Sequence, residues 1–123
     1  MFYIVHVVLI AAAVRTFSYY GVATPYSKGI LLATGFSFLA LICLAHNHAV
    51  SLSAEANDGI GISNAIAYMI IGEDRWSVQL FESYMTGSIL LTFLLLLAYP
   101  CMLTIEKKAS RLRQAAGSVA ATE

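Results

Sequence analysis

Three histidines, His6, His46 and His48, carry the clearest potential for chemistry in this chain. Imidazoles on facing helices can ligate a b-type haem, and a His-x-His pair with a nearby carboxylate such as Glu82 can hold copper or zinc. Spacing restricts the second possibility. On a continuous helix, residues two apart point roughly 200° from one another, so His46 and His48 share an ion only where the helix has already ended. The plainer reading makes the pair a boundary between apolar and aqueous surroundings and His6 a helix–helix hydrogen bonder. Haem, copper and zinc are therefore candidate cofactors that no motif singles out. Glu82 has a plain reading too, as a hydrated carboxylate at the headgroup level rather than part of an ion path.

Cys43 and Cys101 suggest a disulfide until their depths are compared. They fall near opposite ends of two apolar segments, roughly 20 Å apart at helical rise. A disulfide needs α-carbons within about 7 Å, so both are expected to be small packing residues. The sequence contains no phosphate-binding glycine loop, no nucleophile with base and orienter, and no zinc-protease helix. The polar segments are too short to build an enzyme pocket, which argues against a stand-alone enzyme.

The elements that position these residues follow from hydropathy. The chain is 59% hydrophobic and only 11% charged, less than half the charge of an ordinary soluble domain, so lipid is the expected solvent. Seven basic and seven acidic side chains cancel, which leaves no electrostatic case for a nucleic-acid partner. Residues 2–14, 29–45 and 84–105 are apolar runs. A span needs about 20 residues to cross about 30 Å of hydrocarbon. The third run meets this directly, and the second does if it continues to residue 50. The first does only by including Arg15, whose charge can snorkel to the interface beside Tyr19 and Tyr20. The predicted fold is thus an all-α integral membrane protein in one domain, with three transmembrane helices over about residues 2–20, 29–50 and 80–105. A cleaved signal peptide is the rival reading of the first run, with Ala11-Ala12-Ala13 as the cleavage site. Charge order argues against it, because Arg15 and Lys28 follow the run and no base precedes it.

With three spans, Arg15 and Lys28 share a side with Lys107, Lys108, Arg111 and Arg113, and that side is expected to be the cytoplasm. Arg15 and the four tail bases are the predicted lipid-interface residues, the tail being residues 106–123. The outer segment, residues 51–79, opposes Glu55, Asp58, Glu73 and Asp74 to Arg75 alone, with Glu82 just beyond it. Within it, residues 60–71 are nearly as apolar as a span but too few to cross, so an interfacial or docked helix is predicted there. Its helical spacing puts Ile62, Ile66, Met69 and Ile70 on one side and Ser63, Asn64 and Ala67 on the other. Asn57-Asp58-Gly59 and Gly72 are its turn signals. Asp74 is a plausible N-cap for the third span, and Pro100 is expected to kink that span's inner third.

Gly29, Ala33, Ser37 and Ala40 form one lane along the second span where another helix can approach closely, within this chain or in a further subunit. The expected function is that of a non-catalytic membrane protein acting through helix–helix assembly, an accessory or structural subunit of a larger complex, homo- or hetero-oligomeric. In its plan of three spans, outer N-terminus and short basic tail, the chain resembles three-span phage holins. That resemblance is one of topology without a shared residue motif, and it implies self-assembly that permeabilises the membrane. A haem- or metal-binding subunit is the third expectation. A bacterial cytoplasmic membrane, or a phage-encoded membrane protein, is the expected setting.

Overall fold

A computed structural model describes residues 2–52, 64–72 and 77–120. They form α1 (Phe2–Tyr19), α2 (Pro25–Ser51), α3 (Ala65–Ile71) and α4 (Val78–Ala120), with no strand among the described residues. Two stretches, Pro25–Val50 and Val78–Gly117, are long and apolar enough to cross a membrane, whereas the apolar part of α1, Tyr3–Tyr19, is shorter. At a rise of about 1.5 Å per residue, α1 is ~27 Å long, α2 ~40 Å and α4 ~65 Å, so α4 is about twice as long as hydrocarbon is thick.

α1 stops where a glycine allows it to. Gly21 has φ +65°, and its N–H donates to the Ser18 carbonyl while the Val22 N–H donates to that of Phe17. These two bonds close a Schellman motif, which satisfies carbonyls that the end of α1 would leave without partners. Tyr19 and Tyr20 meet edge to face just before it, 5.2 Å between ring centres, and both are exposed. α2 then begins at Pro25, four residues earlier than expected, because the fixed φ of proline suits the first helical position.

α2 is the central element and contacts each of the other three helices. Its small-residue lane faces inward: Ala33 and Ser37 are fully buried, and Gly29 and Ala40 are buried too. A Cβ at Gly29 would lie 2.8 Å from Val14 Cγ2, so that glycine lets α1 approach α2 closely. On the other side Ile30 and Ala33 pack with Leu95 of α4, with Leu9, Ile10, Leu91 and Ala98 around them. Midway along, Thr92 donates to the Ser88 carbonyl at 2.7 Å, which uses its only proton. The 2.9 Å contact of Ser37 with Thr92 is therefore donated by Ser37. Contacts pair Ser37 with Thr92 and Leu44 with Phe81, and Gly29 with Val14 while His6 lies beside Ala40, so α2 runs antiparallel to both α4 and α1.

α3 is shorter than the predicted 60–71; residues 60–63 fall outside the described residues. Asn64 is its N-cap, accepting from the Ala67 N–H at 2.8 Å. The amide end of the same side chain donates to the Cys43 carbonyl at 2.9 Å and to Asn47 Oδ1 at 3.3 Å, which ties α3 to α2. Gly72, with φ +87°, ends the helix as its position suggested. The face that docks is not the one with most aliphatic bulk: Ala67 and Ile71 are buried with Leu44 and Phe81, while Met69 is 77% exposed. A small side chain at position 67 permits the close approach, and Ile66, Met69 and Ile70 are left to line an adjacent cleft.

Asp74 lies outside the described residues; Ser77 performs the capping of α4, its hydroxyl accepting from the Leu80 N–H at 3.1 Å. α4 continues through Pro100, where the Thr104 hydroxyl donates to the Pro100 carbonyl at 2.8 Å, and on to Ala120. Much of the predicted tail is therefore helical. Cys43 and Cys101 are both free thiols.

Replacing a lane residue separates inward from outward packing. Ala33→Leu is expected to destabilise the detergent-solubilised protein by ~1–3 kcal/mol through overpacking, seen as a lower thermal midpoint. Leu31→Ala, at a position 51% exposed, should change it little. Equal midpoints for the two variants would mean that the lane faces outward.

Candidate functional site

The first structural site lies where the N-terminus of α2 meets α4. Thr24, the N-cap, has φ 55° and ψ 59° and makes no side-chain cap bond. Pro25 has no N–H, so the first amides needing partners are those of Tyr26 and Ser27. Glu106, some 80 residues away in sequence, supplies both partners. Its Oε1 accepts from the Tyr26 N–H and its Oε2 from the Ser27 N–H, each at 2.9 Å. The buried Ser27 hydroxyl also donates to Oε2. The Lys28 N–H then makes the first regular bond, to the Thr24 carbonyl. A carboxylate at this position also meets the positive end of the α2 dipole.

Glu106 lies beyond the predicted span. Partial burial pushes its carboxyl up, but the bonds from the Ser27 hydroxyl and from the Ser27 and Tyr26 amides outweigh that, and the net shift is downward. In the sequence Glu106 stands as the first residue of a basic tail, and nothing in its immediate neighbours marks it as a cap. Two more distant features bear on it: Thr24-Pro25 marks a helix start, and Glu106 is the first charge after Glu82.

The second site is a cleft of about 380 Å³ bounded by α1, α2 and α3. His6 and Ala40, each 6% exposed, form its floor. Leu9 and Ile70 are half-buried in its walls, and Phe36 and Met69 stand at the rim, 50% and 77% exposed. The cleft brings His6 into a concave setting that sequence alone did not indicate, because α3 provides one of its walls.

The other predicted site residues remain apart. α2 runs unbroken through His46, Asn47 and His48 to Ser51. The two imidazoles thus diverge by about 200°, on either side of a buried Asn47, and the condition for a shared ion is not met. Neither lines the cleft with His6. Glu82 is exposed on α4, one residue from the fully buried Phe81. Among the described residues no three of His, Cys, Asp and Glu are grouped to hold a metal ion. Arg15, Lys107, Lys108, Arg111 and Arg113 are all exposed.

Comparison with protein-family models, with curated proteins and with solved structures gives no significant match.

The cap at Glu106 has a definite pH signature. A carboxyl whose folded pKa is below its ordinary value, here 4.5, adds stability that is complete above that value and is lost as pH falls through the lower folded one. The thermal midpoint of the wild type should therefore drop as pH is lowered from about 5 into that range, and Glu106→Gln should flatten the response. Glu106→Ala should cost ~0.5–2 kcal/mol at neutral pH, the usual worth of a lost N-cap. Identical pH curves for wild type and Glu106→Gln would sink this account. A second expectation concerns metal: loaded with zinc and desalted, the protein should retain no ion that is lost in both His46→Ala and His48→Ala. Such an ion would require α2 to break at Asn47.

Proposed function

We propose that this chain is a multi-pass membrane protein with its N-terminus outside, and that it acts as a non-catalytic accessory subunit by docking a partner through the projecting end of α4. The observation that carries this reading is the part of α4 beyond Glu106. Residues 107–117 continue the helix and are all exposed. A helix of this length and polarity is marginal by itself in water, and tertiary packing is the usual source of its stability.

The character of the projecting end supports a particular partner. Leu91, Ala98, Ile105 and Leu112 recur every seven residues along α4. Leu91 and Ala98 are packed in the bundle, whereas Ile105 and Leu112 are 60% and 63% exposed. The same line of side chains thus leaves the bundle uncovered, flanked by Lys108, Arg111 and Arg113. A second copy of this segment would set like charges against each other, which favours an acidic helix from a different protein.

The small-residue lane no longer speaks for external assembly, since α1 and α4 occupy it. Three spans are supported by the antiparallel packing of α1, α2 and α4. Orientation is supported by charge: Arg15, Lys28 and the basic extension belong to the same end of the bundle, the end expected in the cytoplasm.

Extraction of the full chain in mild detergent should recover a complex with a different, acidic chain. Truncation after Ser110, or Lys108, Arg111 and Arg113 all changed to Glu, should lose that partner while membrane insertion persists. A C-terminal reporter should be active only in its cytoplasmic form. Recovery of the chain without a partner in every case would remove the reading. Abrupt growth arrest with loss of membrane potential on expression would point instead to a permeabilising protein.

A further inference from the structure

The cleft between α1, α2 and α3 has the features of a small-molecule site. Its volume of about 380 Å³ lies within the range of roughly 300–1,000 Å³ typical of such sites. Its lining is apolar except for one side chain, the imidazole of His6, which sits at the floor and is more than nine-tenths buried. That combination selects for an apolar ligand with one polar group at the floor, any second one remaining at the open mouth, because if buried it would find no counterpart among the lining residues.

The rim narrows the class further. Phe36 offers a ring for offset stacking, and Met69 offers a polarisable thioether that interacts favourably with aromatic edges. Both stand at the rim with much of their surface exposed. The cleft therefore opens on the side of the bundle where α1, α2 and α3 present apolar surface, the side from which a lipid-soluble molecule would arrive. An aliphatic chain would match the walls but carries no polar group for the imidazole to recognise. A flat ring with an oxygen at one end matches both.

We propose that this cleft binds a membrane-soluble aromatic or quinonoid ring bearing a carbonyl or hydroxyl oxygen, with His6 making the hydrogen bond to that oxygen. The site depends on its own walls and holds whether or not the chain has a partner subunit. It requires no metal, and its ligand is bound rather than transformed. It also accounts for the orientation of α3, which docks through Ala67 and leaves Ile66, Met69 and Ile70 to complete the wall.

The test is equilibrium binding of 2-methyl-1,4-naphthoquinone to the detergent-solubilised full chain, with protein-free micelles as the blank. One saturable equivalent is expected. 2-Methylnaphthalene has the same ring system without oxygens and should bind about five- to ten-fold more weakly, the worth of one hydrogen bond. His6→Leu should lose a similar factor for the quinone and none for the hydrocarbon. His6→Gln should recover part of the difference. Met69→Trp, at an exposed rim position, should block both ligands without lowering the thermal midpoint. Equal affinity for the two ligands in the wild type would overturn the role of His6 and leave an apolar groove filled by lipid. Non-saturable uptake matching the micelle blank would overturn the site itself. If His6→Leu lowers the midpoint, the comparison of the two ligands in the wild type still decides the matter.

Discussion

Everything in this protein depends on how closely other helices can approach α2. A helix in lipid gains nothing from hydrophobic burial against another helix, since lipid tails are as apolar as leucine, so association depends on close packing and on hydrogen bonds across the contact. α2 satisfies both requirements along one lane. Gly29 admits Val14 of α1, Ala33 admits Leu95 of α4, and Ser37 donates a hydrogen bond to Thr92. That bond continues through the Thr92 hydroxyl to the Ser88 carbonyl, so the hydroxyls of Ser37 and Thr92 both find acceptors, whereas the buried Ser88 hydroxyl beside them finds no partner among the described residues. Bulk at any of these positions would separate the helices and strand those polar groups in an apolar medium.

The ends of α2 are secured by groups brought from elsewhere. At one end Glu106 supplies the two acceptors that Thr24 and Pro25 do not, and so sets the height at which α4 lies along α2. At the other end Asn64 joins α3 to α2 through the Cys43 carbonyl and Asn47. Each of these side chains serves two helices at once, by capping one and anchoring it to another. The register of the bundle is thus determined by polar contacts at its two rims, and its tightness by small residues between them.

These constraints also govern where function can reside. With the lane occupied internally, the surface left uncovered is the exposed apolar side of the helices and the basic helical end of α4. The docking of α3 through a small residue rather than a large one leaves a recess above His6 instead of a filled core. Two of the three histidines, in contrast, are held apart by the continuity of α2, so the chemistry suggested by their proximity in sequence has no geometry to support it.

Sequence by itself determined that the chain is helical and where its apolar runs lie, because hydropathy and turn residues are local properties, but not that α2 starts at Pro25 or that α4 continues to Ala120. The apolar runs, the Gly72 stop and the short helix before it were all legible, as was the lane of small residues on α2. Sequence could not determine what fills that lane, since Gly29 and Ala33 would look the same whether their neighbour were α1 or a separate subunit. It marks a helix start at Thr24-Pro25 and an isolated carboxylate at Glu106, but not that the two meet, because the amides that Glu106 serves lie some 80 residues away. Periodicity placed Ala67 opposite the aliphatic face of α3 but left open which side would dock, and steric fit against Leu44 and Phe81 chose the smaller one. Tertiary structure decided these points because each depends on a distance between segments remote in the chain, a quantity that neither composition nor spacing contains.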